Sequence, residues 1–392
     1  MPALERSETA TTNGDYSAPV PLPVISEHRL VALDGVRGVA ILMVLVWHYY
    51  ICVPRTAWFA GVPLVEDVAS YGWTGVPLFF VLSGFLIGRI LIGQRGKPGY
   101  YPVFFIRRAA RILPLYFVCL AAYWLAGVFC PPSGREVLEP LFETNAPLWS
   151  YAFFLQNFAM AQTGTLGGHW LSVTWSLALE EQFYLVLPFV VAVCRPRLLP
   201  FVMLGVVGLA LGFRWIALTA QLGHPGGLIV LLPSRMDAFA IGVLLATQFE
   251  RLAAWRGAVW LAGVGALSCL WALFCTRANS TASLAMLYTL VAGVFGFLIL
   301  HAVTSVRGPV VWLLQRKALV WCGSISFFVY LFHQPINHLT HYVLRDVAPD
   351  MASREGIAIT AVSLGLVLAS GEFSRRFFEA PLIAWGKRWK FG

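Results

Sequence analysis

The chain is 392 residues long, 58% hydrophobic and only 12% charged, with a formal net charge of +9 and a mean hydropathy of +0.72. Soluble globular domains carry about a quarter charged residues, so that class is excluded. A positive balance in a soluble protein would point to nucleic acid. Here the Lys and Arg fall between long apolar runs, as they do in cytoplasmic loops of membrane proteins, and no nucleic-acid partner is expected.

Residues 1–28 are rich in Pro, Ser, Thr and Ala and lack the apolar core of a signal peptide, so they read as a disordered cytoplasmic tail. Apolar runs then follow near 33–53, 73–93, 107–128, 172–193, 199–218, 233–249, 257–275, 283–304, 318–343 and 356–373. Each approaches the ~20 residues that cross a bilayer. A weaker run near 148–160 reads as re-entrant or interfacial. Basic clusters lie at Arg89 to Arg111, at Arg195 and Arg197, at Arg251 and Arg256, at Arg307 to Lys317, and in the tail from Arg375 to Lys390. The segment holding Glu136, Glu139 and Glu143 is acidic instead. Ten spans put all the basic clusters on one side, and the positive-inside rule makes that side cytoplasmic. The expected fold is therefore all-α: a polytopic membrane bundle of about ten transmembrane helices with both termini in the cytoplasm. The spans form one unit over 29–374, and 375–392 is expected to be a basic cytoplasmic tail. None of the seven cysteines forms a C-x-x-C pair, and most sit in or beside apolar runs. They read as packing residues, with neither a disulfide framework nor a metal site expected.

Charged side chains inside such runs cost at least ~2.5–3.5 kcal/mol each and need a reason to be there. The first run holds Arg37 and His48, eleven residues apart, which at 100° per residue puts both on one helix face roughly 16 Å apart. Asp34 shares that stripe. A lone His48 would be read as a hydrogen-bonded interior residue; company on its face favours function. Trp175 to Tyr184 opens another run and contains adjacent carboxylates, Glu180 and Glu181, with Ser176 and Tyr184 stacked four residues either side of Glu180. Arg214 lies inside Leu211 to Trp215. Arg235 and Asp237 open a further run and read as a pair at the interface. His333 lies in Phe327 to Pro335. Counting from the run edges places His48, Glu180, Arg214 and His333 at similar depth.

These blocks resemble the acyltransferase-three family of bacterial membrane O-acyltransferases. Leu33-Asp34-Gly35-Val36-Arg37-Gly38 with His48 looks like its first-span signature. Val76 to Ile87 looks like its second span. Phe105 to Pro114, with the R-x-x-R of Arg108 and Arg111, is similar to its basic third span. Trp175 to Tyr184 resembles its W-S-L-x-x-E-E-Q-F-Y block, and Tyr330 to Pro335 with Glu379 to Leu382 resembles its closing motifs. One departure is Gln334, where an aromatic residue is common before the proline. The resemblance implies an acyl-CoA donor, most simply acetyl-CoA, as substrate and no permanently bound cofactor. It implies an acceptor hydroxyl on a carbohydrate or on a glycosylated natural product such as a macrolide. Some members carry a soluble domain after the spans; none is expected here.

Acyl transfer to an alcohol needs a base and a group that holds developing negative charge. A neutral His48 suits the base, with Glu180 orienting it or binding the acceptor. Arg37 is placed to hold the thioester end or a phosphate of the donor. Arg107, Arg108 and Arg111 are candidates for the coenzyme A phosphates, although topology alone accounts for basic residues at a span end. Asp34, Ser176, Tyr184, Arg214 and His333 are accessory candidates. The contrasting reading is a transporter or flippase that uses buried His, Glu and Arg for coupling; the buried charges alone fit it equally well.

Overall fold

The computed structural model describes residues 27–55, 63–130, 135–144, 146–275, 281–305 and 307–392. The N-terminal tail expected over 1–28 lies almost wholly outside the described residues. The described residues are helical throughout, with a single isolated bridge between Arg55 and Met351. The long helices are α1 (Glu27–Val46), α2 (Gly75–Gln94), α3 (Tyr100–Phe129), α4 (Thr174–Val193), α5 (Leu199–Thr219), α6 (Leu232–Ala254), α7 (Arg256–Cys275) and α8 (Thr281–Thr304). They are followed by α9 (Lys317–Ser324), α10 (Ser326–Arg345), α11 (Arg354–Ser374) and α12 (Ala380–Lys387).

Every one of the ten expected runs is occupied by helix. Seven stretches are long and apolar enough to cross a bilayer, and α9 with α10, bent by 74°, makes an eighth. The strictest count falls short of ten partly because α6 carries Arg235, Asp237, Glu250 and Arg251. The outside of the bundle is apolar: Phe129, Phe153, Val193, Phe201 and Leu209 are all exposed. Such a surface is at home in lipid and not in water.

Helix α2 is apolar on every side, and a helix of that kind belongs in the middle of a bundle. It is buried accordingly, with Leu78, Val81, Leu82 and Phe85 sealed in the core. Its main partner is α6. The two backbones touch where glycines remove the side chain: a Cβ on Gly84 would lie 2.1 Å from the Phe239 carbonyl, and one on Gly242 2.2 Å from that of Val81. Small residues at a crossing let membrane helices approach closely. Helix α3 is 30 residues long, about 45 Å at 1.5 Å per residue. That exceeds the ~30 Å hydrocarbon layer, so an end of it stands clear of the apolar zone.

The weak run near 148–160 forms two helices too short to cross: Leu148–Ala152, packed against α3, and Gln156–Thr163, packed against α4. Gln156 Nε2 donates to the Thr174 carbonyl at 2.9 Å, and Gln182 Nε2 donates to Asn157 Oδ1 at 2.9 Å and to the Phe154 carbonyl at 2.8 Å. The segment expected as a basic C-terminal tail packs on the bundle. A π turn, Arg375–Glu379, leads into α12, which packs along α3 beside Ala110.

Candidate active site

The main cavity, of about 110 Å³, opens between α1, α2, α3, α4 and α10. Its polar lining is Arg37, Arg108, Arg111, Ser83, Glu180 and Tyr184, with Ser176, Ser326 and Tyr330 beside them; Phe79, Phe80, Leu86 and Ile87 supply apolar wall. Residues more than 290 apart in sequence therefore meet.

Local packing explains how Arg37 reaches this wall. Helix α1 lies against α9 with backbone on backbone: a Cβ on Gly38 would sit 2.0 Å from the Leu319 carbonyl, and one on Gly323 1.9 Å from that of Asp34. The glycines of the first-span motif are thus a crossing point, and Arg37 projects beside it. Asp34 holds the guanidinium, Oδ1 accepting from Nη1 at 3.0 Å. Arg108 and Arg111 have neither ion pair nor hydrogen-bond acceptor among the described residues. The Arg108 guanidinium lies 5.6 Å from the centre of the Tyr184 ring. Three guanidiniums against two carboxylates, Glu180 and the Asp34 that pairs with Arg37, leave the site with excess positive charge.

Glu180 is held by hydroxyls. Its Oε1 accepts from Ser83 Oγ at 2.5 Å and from the Tyr184 hydroxyl, and Ser83 also contacts Tyr184. A carboxylate with two such donors is oriented and partly neutralised. Glu181 faces elsewhere, and its Oε1 is sealed without a partner. Further along the wall the hydroxyls of Ser176 and Tyr330 lie 2.5 Å apart, and both reach the Val173 carbonyl.

His48 is not on the cavity wall. It lies in a π turn, Trp47–Ile51, and is half-buried. Its Nδ1 is 3.0 Å from the Val44 carbonyl. A carbonyl only accepts, so this bond puts the proton on Nδ1 and leaves the Nε2 lone pair free. The His48 ring is 4.8 Å from that of His333, which is 6.4 Å from that of Tyr330. Two rings therefore separate His48 from the cavity. His333 is fully buried, with Nδ1 bonded to the Val329 and Tyr330 carbonyls at 2.9 Å and Nε2 sealed without a partner.

Several expectations are corrected here. Glu180 does not touch His48, because its hydrogen bonds go to Ser83 and Tyr184. Arg107 points away from the cavity: its Nη2 donates to the Trp389 carbonyl at 2.6 Å and it lies over Phe391, tying α3 to the C-terminal segment. Arg214 is a structural ion, buried and paired with Asp237 Oδ2 at 2.8 Å, with Thr289 and the Ala285 and Ser234 carbonyls as further acceptors. Arg235 and Asp237 do not pair, since residues two apart on a helix face roughly opposite ways. Ser83 and Tyr330 line the cavity and received no role from the sequence; a serine inside Val81-Leu82-Ser83-Gly84 was the available signal.

A family model described as an acyltransferase domain matches residues 30–371. The chain belongs to the acyltransferase-three family. Among curated proteins it is 28% identical over 375 residues to the peptidoglycan O-acetyltransferase OatA of Listeria monocytogenes, covering 90% of this chain and 55% of that protein. It is 23% identical over 388 residues to the O-acetyltransferase OatA of Staphylococcus aureus, covering 91% of this chain and 58% of that one. The chain thus spans little more than half the length of these relatives. No solved structure matches it. The motifs that form the cavity, from Asp34 to Tyr330, all fall inside the family domain.

Proposed function

We propose that the protein is a membrane O-acyltransferase that moves a short acyl group, most simply acetyl, from acyl-coenzyme A to a hydroxyl of a carbohydrate or glycosylated natural product. The observation that carries this reading is the cavity itself. It gathers Arg37, Arg108 and Arg111 around Glu180, and among the described residues two of these guanidiniums have neither an ion pair nor a hydrogen-bond acceptor. Unpaired guanidiniums suit phosphate, which they bind bidentately. Coenzyme A is a polyanionic thioester carrier of that kind.

The chemistry assigns each group a task. His48 Nε2 takes the proton of the acceptor hydroxyl, its tautomer fixed by the Val44 carbonyl. The hydroxyl oxygen attacks the thioester carbonyl, and a tetrahedral oxyanion forms. Arg37, kept in place by Asp34 and roughly 16 Å along α1 from His48, holds an anionic group of the donor away from the reacting carbonyl. The C–S bond breaks, and the coenzyme A thiolate leaves with the proton that imidazolium returns. The ester is formed with no net change in the protein. Because His48 stands two rings from the cavity, the acceptor hydroxyl is to be sought on the His48 side and the donor on the Arg108 side. The acetylated polymers named for the relatives belong to those proteins; the acceptor of this one is a hydroxyl compound of the same broad class. We place the protein in a bacterial plasma membrane with both termini in the cytoplasm.

The test is mass spectrometry of lipid, glycan and small-molecule fractions from cells with and without the protein. An acyl mass difference, reproduced by purified protein with acetyl-CoA and coupled to thiol release, is the expected result. Transmembrane flux of a compound without covalent change would replace the enzyme with a transporter.

A further inference from the structure

Arg235 opens α6, in the sequence Leu232-Pro233-Ser234-Arg235-Met236-Asp237. It is 4% exposed, and its Nε is sealed from solvent. Among the described residues nothing accepts a hydrogen bond from it and no carboxylate pairs with it. Asp237 is already committed to Arg214, Thr289 and the Ala238 amide. The same stretch of helix thus supplies a full set of acceptors to one arginine and none to the other. A buried guanidinium without an anion is unfavourable. Asp237 acts on it only through space, and an intramembrane charge without a bonded partner marks a candidate site for an anion.

The surroundings say what kind of molecule brings it. The guanidinium lies 3.8 Å from the centre of the Tyr288 ring and 5.8 Å from that of Trp175. Trp73 stands edge-on to Tyr288 at 5.6 Å. Aromatic faces around one cation form a box that takes a flat apolar ring face and an anionic substituent together. A sugar bearing a carboxylate or phosphate has both. The box is also at the right end of the molecule. Trp73 precedes α2 and Trp175 opens α4, as Arg235 opens α6. Gly72 packs so closely on the turn that carries His48 that a Cβ there would lie 2.9 Å from the Trp47 Cβ. The Arg235 box and His48 therefore share one end of the bundle, opposite to Arg108 and Arg111.

We infer that Arg235, with Trp73, Trp175 and Tyr288, forms a subsite for the anionic group of the acceptor, so that the substrate is an acidic sugar. This rests on the acyltransferase reading, which it deepens. In it, two separate arginine sites divide the labour: the cavity holds the anionic donor, and the box holds the anionic acceptor.

The test reads binding, without donor or turnover. The purified full chain, in a neutral detergent and in phosphatidylcholine nanodiscs, is heated with glucuronate, glucose 6-phosphate or glucose at matched ionic strength. A saturable rise in the unfolding midpoint with an acidic sugar, and none with glucose, is expected; which of the two acts separates carboxylate from phosphate. Arg235→Met should abolish the rise while leaving the unligated midpoint within about 3 °C of the parent. Arg235→Lys should retain part of it. The inference is overturned by a rise that survives Arg235→Met, or by the absence of a response to either anion. It is equally overturned if phosphatidylglycerol in the nanodisc is the sole stabilising anion, for then the partner is a lipid headgroup. A fall of more than about 3 °C in unligated Arg235→Met would instead mark a structural stack on Tyr288. Since no acyl transfer is measured, failure here leaves the enzyme reading standing, and an inactive enzyme that binds acidic sugars leaves the subsite standing.

Discussion

His48 occupies a π turn at the end of α1, and such turns interrupt the regular helix often at functional sites. The turn's geometry directs Nδ1 at the Val44 carbonyl and so frees Nε2. If Nε2 is the base, His48→Ala should lower kcat for transfer by about 10²- to 10⁴-fold, the usual value of a positioned base, with the protein still inserted and folded. Near-parent turnover in that variant removes His48 from the mechanism. The donor side makes a separate prediction. Replacing Arg108 and Arg111 together by Gln should raise the KM for acetyl-CoA well above any change in the acceptor KM, and Lys at both positions should recover only part of the loss. Equal donor affinity in the double Gln variant would make these residues topology anchors alone. At this scale the sequence was informative wherever a charge had to be justified in an apolar run, which is why Arg37 and Glu180 could be singled out, whereas Arg108 and Arg111 were marked by the R-x-x-R of the family resemblance. Ser83 and Tyr330 carry no charge, and neither is out of place in a membrane helix, so only their position inside the motif blocks marked them. Arg107 was misjudged beside Arg108 because consecutive residues face about 100° apart, and one of them must turn from the cavity.

At the level of elements, the first-span motif is as much a packing device as a site. Gly38 and Gly323 let α1 and α9 touch backbone to backbone, and that contact sets where Arg37 points. Gly38→Leu forces side-chain atoms into the Leu319 carbonyl, which no rotamer relieves. The cost should exceed the ~1–3 kcal/mol of ordinary overpacking. The variant is expected to lose its monodisperse peak in detergent, while Gly205→Leu, where a Cβ meets nothing within 4 Å, should keep it. A well-folded Gly38→Leu protein would show that the crossing tolerates separation. The bend between α9 and α10 was not read from the sequence, since Gly323 to Ser326 is a short, weakly polar interruption with apolar residues on both sides. The hydroxyls of Ser324 and Ser326 bond back to the Trp321 and Gly323 carbonyls and compete with the helix ladder there. The 74° turn that results brings Ser326 and Phe327 onto the cavity.

For the whole molecule, the arrangement is polarised. Arg108 and Arg111 stand at the start of α3 with the basic C-terminal segment docked beside them through Arg107 and Trp389. His48 and the Arg235 box lie at the opposite end. The basic clusters of the other loops fall on the Arg108 end when the chain is followed through ten crossings, and the positive-inside rule assigns that end to the cytoplasm. The proposed donor suits that orientation, because acyl-coenzyme A is cytoplasmic and the basic end is where its phosphates would be met. Exposed positions on either side give the measurement. With Cys52 and Cys269, both exposed, replaced by Ser, a cysteine at Glu139 should react with an impermeant maleimide in intact cells. One at Lys390 should react only after the membrane is opened. The opposite pattern would turn the bundle over, put the arginines of the cavity outside, and leave them no coenzyme A to bind.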